Sequence, residues 1–195
     1  MSDLEEEWKK HMAPAIAEGY TLDPPEYRRL NNWTFVLWQL LFTKVEIQGL
    51  IDTKPALYDQ ANFYGLYSRF SAMIVTYARC FASGGDGIVR LNAKDAFRGE
   101  PDLKKRHDRM IDIRNGVVAH TGAHELARAT IGVKEDAGAI VVKHMFTPAM
   151  PHNEYPQFLE VVEHAERYTI GQVNKHINFL EKKLGKTILV AQLSK

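Results

Sequence analysis

Apolar residues recur near the helical period through most of this chain and alternate in only one stretch. Residues 2–18 read as a short helix, with Ser2 as candidate N-cap and Glu5, Glu6 and Glu7 at the positive end of its dipole. Gly19 closes it, and Asp23-Pro24-Pro25 makes a rigid break. A long helix is predicted over residues 26–51, with Leu30, Trp33, Leu37, Leu40, Leu41 and Val45 as its apolar stripe. Asp52-Thr53-Lys54-Pro55 starts a third helix, over residues 55–82. Its many aromatic residues read as core, with Phe70, Ile74 and Phe81 turned inward and Tyr77 and Arg79 turned elsewhere. Glycines at 84, 85 and 87 end that helix, and the stretch up to Gly99 reads as an irregular, mobile loop. A fourth helix starts at Pro101, carries Leu103, Met110, Ile113, Val117 and Val118 inward, and stops near Thr121-Gly122.

The period then changes. Residues 127–134 and 139–147 are rich in Ile and Val and flank Glu135-Asp136-Ala137-Gly138, which signals a β-hairpin. Pro148 and Pro151 separate it from a last helix over residues 154–184, which Gly185 ends. An apolar tail, residues 187–193, follows and reads as a strand or a partner contact. The expected fold is mainly α: a bundle of about five helices in one domain, residues 1–195, with a hairpin at about 127–147 before the last helix.

Composition narrows the setting more than the function. The 195 residues are 45% hydrophobic and 25% charged, enough apolar matter for one core and too balanced for a disordered chain. A single cysteine, Cys80, excludes a disulfide framework. The acidic start and the lack of a long apolar run point to a cytoplasmic protein with no membrane partner. Lys and Arg number 25 against 24 Asp and Glu, so global charge offers nothing to a nucleic acid. Local charge does: residues 90–128 hold nine basic and six acidic residues, while residues 1–30 hold four and seven.

That basic stretch contains the residues with chemical content, Arg106 to Gly122, reading RHDRMIDIRNGVVAHTG. Arg114 is a permanent cation whose fork of donors suits a phosphate. His120 is of the one residue type that takes and gives protons near neutrality, and Asn115 can orient either group. Together they are a minimal kit for cleaving RNA without a metal or cofactor, one imidazole activating the 2′-hydroxyl while cations stabilise the charge on phosphorus. Six steps along a straight α-helix leave Arg114 and His120 roughly 120° apart. They converge only if the helix ends or distorts, for which Gly116 and Gly122 offer means, or if a second subunit completes the site. Lys105, Arg106 and Arg109 precede the motif on the same helix and could track a phosphate backbone.

Arg114-Asn115-Gly116-Val117-Val118-Ala119-His120, on a late helix of a helical bundle, resembles the Arg-x(4–6)-His signature of the HEPN superfamily, in which a polar residue directly after the Arg is also typical. The resemblance covers this motif and the general architecture. It implies a homodimer whose paired motifs form a composite groove, and a metal-independent endoribonuclease of the kind found in toxin–antitoxin and anti-phage systems, with RNA as substrate and a cognate antitoxin or regulatory protein as partner. It equally implies the other use of the fold, a non-catalytic module that binds a protein, nucleic acid or small ligand.

Each of these residues also has a plainer role. Arg114 could be ion-paired with Asp108 or Asp112, and His120 could cap a helix C-terminus. His120 and His124 stand four apart as zinc ligands can, but Thr121-Gly122 breaks the helix between them, and no metal site is expected. Glu160 and His164, also four apart, read as a surface ion pair. A third function class, a helical ligand-binding protein, would enclose an apolar pocket among Trp33, Trp38, Phe63 and Tyr67.

Overall fold

A computed structural model describes residues 3–53, 60–82, 88–118, 124–136 and 138–190. The described residues form a mainly helical bundle of α1 (Asp3–Ala17), α2 (Arg28–Asp52), α3 (Gln60–Arg79), a short α4 (Ala93–Ala96), α5 (Pro101–Ile113) and α6 (Tyr155–Leu184). The antiparallel strands β1 (Ala127–Asp136) and β2 (Ala139–Pro148) stand before α6, where the alternating pattern predicts them. No helix among the described residues is long and apolar enough to cross a membrane.

The core is built on α2 and α6. On α2 the buried residues are Trp33, Val36, Leu40, Thr43, Ile47 and Leu50, in alternating steps of three and four. Tyr155, Phe158, Val162, Ala165 and Thr169 repeat those steps on α6, with Val161 beside them. The two helices run antiparallel: Trp33 shares a cleft with His176 and Phe179, whereas Lys44 lies 2.9 Å from Glu166 and 3.7 Å from Glu163. Burying each large side chain in this seam contributes roughly 1.5–3 kcal/mol. Thr43 and Thr169 enter it at little cost, because each hydroxyl donates to the carbonyl four residues back, Gln39 at 2.8 Å and Ala165 at 2.7 Å. Helices α3 and α5 complete the core with Phe70, Met73, Ile74, Tyr77, Met110 and Ile113.

Within the helical core the structure departs from the pattern-based expectations at Val45, Tyr77, residues 88–99 and the Glu160–His164 pair. Val45 is exposed and Thr43 takes its place in the core, because Thr43 and not Val45 continues the three-and-four steps of the buried stripe. Tyr77 is fully buried, held by a hydrogen bond that helical periodicity does not reveal. Residues 88–99 are packed: Leu91, Ala96 and Phe97 are buried, the Leu91 N–H donates to the Cys80 carbonyl at 2.8 Å, and the Asn92 side chain caps α4. Glu160 pairs with Arg106, while His164 Nε2 meets the Ala96 carbonyl at 2.8 Å, so the two do not form an ion pair with each other.

Gly185 takes φ 64 and donates to the Glu181 carbonyl, ending α6 as its position in the sequence predicts. Residues 187–190 beyond it form no strand, with Leu189 and Val190 exposed, and residues 191–193 lie outside the described residues. Strand pairing runs from Ala127–Pro148 to Asp136–Ala139, a tighter turn than the four residues 135–138. Buried Leu126 and Met150 root the hairpin, but Ile131, Val133, Ile140, Val142 and Phe146 along it stay exposed.

Candidate functional site

Helix α5 does not continue straight through the motif. After Ile113 the turn widens into a π-helical segment, Arg114–Val118. Such a segment bonds five residues on rather than four, lowers the rotation per residue and is frequent at functional sites. Gly116 stands at its centre for a steric reason. A methyl group there would come within 2.5 Å of His124 Cδ2. The His124 ring is fixed in turn: its Nδ1 accepts the Leu126 N–H at 3.1 Å, and its Nε2 lies 3.3 Å from Asp112. The chain leaving the π-turn is thus clasped again at His124, and residues 119–123, His120 among them, lie outside the described residues. Gly116→Ala should lower stability by about 1–3 kcal/mol through this overpacking. A denaturant midpoint equal to that of the wild type would show that the ring is free to yield.

Arg114 is half-buried and its Nη1 donates to Asn115 Oδ1 at 3.0 Å. Neither Asp108 nor Asp112 neutralises it. Asp108 is taken by Lys104 at 2.6 Å, and Asp112 faces Arg109 and His124. Arg114 and Asn115 line a cavity of about 410 Å³ with Ala78 of α3, Phe81 and Ala82 just beyond it, Leu91, Ala93, and His107 and Ile111 of α5. Its floor is largely apolar, and its volume lies in the range of small-molecule sites.

His107 belongs to the motif stretch, but its place in the sequence gives no sign of what surrounds it. It is buried against Phe81, Phe97 and Tyr77, with ring centroids 4.4, 5.0 and 5.7 Å away. Burial pushes its pKa down to about 4 and pushes the Tyr77 phenol up, so both are neutral. The phenol and His107 Nδ1 share a hydrogen bond, 2.7 Å long, between two neutral groups. Burial also pushes the Cys80 thiol up to about 12, which leaves it protonated and a poor nucleophile.

The cations expected to hold a phosphate backbone fall in different settings. Arg109 meets Glu154 with two nitrogens, at 3.1 and 3.2 Å, and also pairs with Glu125 and Asp112. Arg106 pairs with Glu160. Lys105 is exposed and makes no ion pair among the described residues. The basic excess counted along residues 90–128 is therefore offset by Glu154 and Glu160, which α6 brings alongside α5. A second cleft, about 440 Å³, compensates: Arg28, Arg29 and Arg90 border it with Trp33, Ile88 and Val89, and no carboxylate lines it among the described residues. Leu91, of the same extended segment, and Ala93, the first residue of α4, line the Arg114 cavity, so residues 88–93 contribute to both openings.

The apolar pocket expected of a ligand-binding protein is not formed. Trp38 is exposed, Trp33 borders the cleft beside His176, and Phe63 stacks on Tyr67 at 6.0 Å on another helix. No group of three or more His, Cys, Asp or Glu able to hold a metal ion occurs among the described residues. The chain matches no known family, curated protein or solved structure.

Proposed function

We propose that this protein is a metal-independent endoribonuclease of HEPN type, acting as a toxin or phage-defence effector in the cytoplasm. The observation that carries the reading is the π-turn, which sets Arg114, with no carboxylate partner among the described residues, in the lining of a largely apolar cavity six residues ahead of His120 in the chain. A guanidinium at the rim suits a phosphodiester, and the cavity beside it suits the flat apolar face of a base.

In this mechanism His120 takes the proton of the ribose 2′-hydroxyl and the 2′-oxygen bonds to phosphorus. The bond from phosphorus to the 5′-oxygen breaks, the leaving oxygen acquires a proton, and a 2′,3′-cyclic phosphate remains. Arg114 stabilises the charge that builds on the non-bridging oxygens, and Asn115 orients the guanidinium through the bond it accepts. Lys105, Arg29 and Arg90 hold the flanking backbone in place of the ion-paired Arg106 and Arg109. An antitoxin that covers the motif completes the proposal. Purified protein incubated with RNA in EDTA should yield fragments with 2′,3′-cyclic phosphate and 5′-hydroxyl ends. RNA left at full length under those conditions removes the enzyme and leaves the binding module.

A further inference from the structure

Helix α2 carries a second seam besides the one it buries. Phe35, Trp38, Phe42 and Val45 follow the same steps of three and four on the outer face and are 63, 47, 62 and 67% exposed. The pattern continues in both directions, to Asn31 and Arg28 at one end and to Gly49 and Asp52 at the other. All are exposed except the partly buried Gly49. An isolated exposed aromatic residue is ordinary, whereas four large apolar side chains in consecutive seam positions, flanked by polar positions of the same spacing, form an unpaired face of the helix.

We infer that two copies of this chain pair through α2, antiparallel about a two-fold axis at the level of Leu40. The occupant follows from the symmetry of the seam itself. In an antiparallel pair each first-type position faces a second-type position of the other helix. Setting Trp38 against Phe42 of the second copy sets Phe35 against Val45, and the same axis brings Arg28 opposite Asp52. The centre is then four aromatic rings and the ends are opposite charges, each pair occurring twice. A parallel arrangement would set Arg28 on Arg28 and Asp52 on Asp52, which like-charge repulsion disfavours. Asn31 meets the Arg69 guanidinium, which lies over the side-chain position of Gly49 and pairs with Glu46. The interface is isologous, so it closes as a dimer.

No seam residue lines the Arg114 cavity, so this pairing does not rest on the ribonuclease reading and leaves the motif end of each copy open. Arg28 borders the arginine cleft as well, and the register gives it to Asp52 while Arg29 and Arg90 remain at the cleft.

Analytical ultracentrifugation of the full chain over a concentration series tests the inference. Wild type should sediment as a dimer, and Trp38→Glu should raise its dissociation constant by roughly 100-fold or more, since the change puts a charge at the centre of the seam. Arg28→Asp and Asp52→Arg should each weaken it by about tenfold, and the double exchange should restore it. The exposed positions of all three residues keep each variant folded, which an unchanged far-UV spectrum verifies. A monomeric wild type, or a dimer indifferent to Trp38→Glu, overturns the interface. Failure of the double exchange to rescue overturns the antiparallel register. RNA cleavage by the same samples reports separately on the ribonuclease.

Discussion

His120→Ala is expected to lower the rate of RNA cleavage by roughly 10²–10⁴-fold, the usual worth of a general acid–base group. Arg114→Ala should lower it by about 10²–10³-fold, as loss of one preorganised donor to developing charge does. Combining the two should cost little more than the worse of them, because residues that act on one transition state are not additive. Arg114→Lys keeps the charge but not the fork that engages both Asn115 and a phosphate, so it should recover only part of the loss. Arg114 makes its side-chain bond to Asn115 and lies outside the buried core, so Arg114→Ala should leave the unfolding midpoint nearly unchanged. Single-turnover cleavage in chelator measures all four. Wild-type rates in Arg114→Ala or His120→Ala would take these residues out of the chemistry.

The second large effect concerns stability. Between about pH 4 and 6.5 the unfolded chain protonates His107 whereas the folded chain keeps it neutral. The unfolded state then binds more protons, so stability rises with pH through that window, is complete above 6.5 and is lost as pH falls towards 4. The span corresponds to about 3 kcal/mol. Urea titrations from pH 4 to 7.5 should show this rise. His107→Gln, which cannot titrate, should remove most of it, although His152 and His176, whose pKa values burial also lowers, keep a smaller slope of the same sign. Tyr77→Phe removes the hydrogen-bond partner of His107 Nδ1 and should cost about 1 kcal/mol even at neutral pH. Identical slopes in wild type and His107→Gln would assign the acid sensitivity elsewhere.

These residues mark how far the pattern of the chain reaches. The existence and kind of nearly every element were legible, since a periodic stripe, a proline start or a glycine stop is a local property. Gly185, Pro101 and the change of period at residue 127 each did what local chemistry demands. The inner face of α2 was legible in part: Trp33 and Leu40 stand on the expected stripe and are buried, whereas Val45 is exposed and Thr43 lies inside. That helix has two apolar seams, and only the presence of α6 and α3 decides that Trp33, Val36 and Leu40 go inside while Phe35, Trp38 and Phe42 stay out.

The candidate site divides in the same way. The sequence by itself determined that Arg114, Asn115 and His120 stand within seven residues, with Gly116 between them and basic side chains ahead, because covalent order sets those separations. It also determined a mainly helical chain with one hairpin. Only the tertiary structure decided which cations are spent. Glu154 and Glu160 are some fifty residues from Arg109 and Arg106 along the chain, and Arg29 is 61 from Arg90, so packing alone pairs the first two with carboxylates and groups the second two. Packing likewise turned His107 from a polar residue on a basic helix into a neutral ring in an aromatic cage. Charge and protonation depend on distance in space, which no spacing along a sequence fixes.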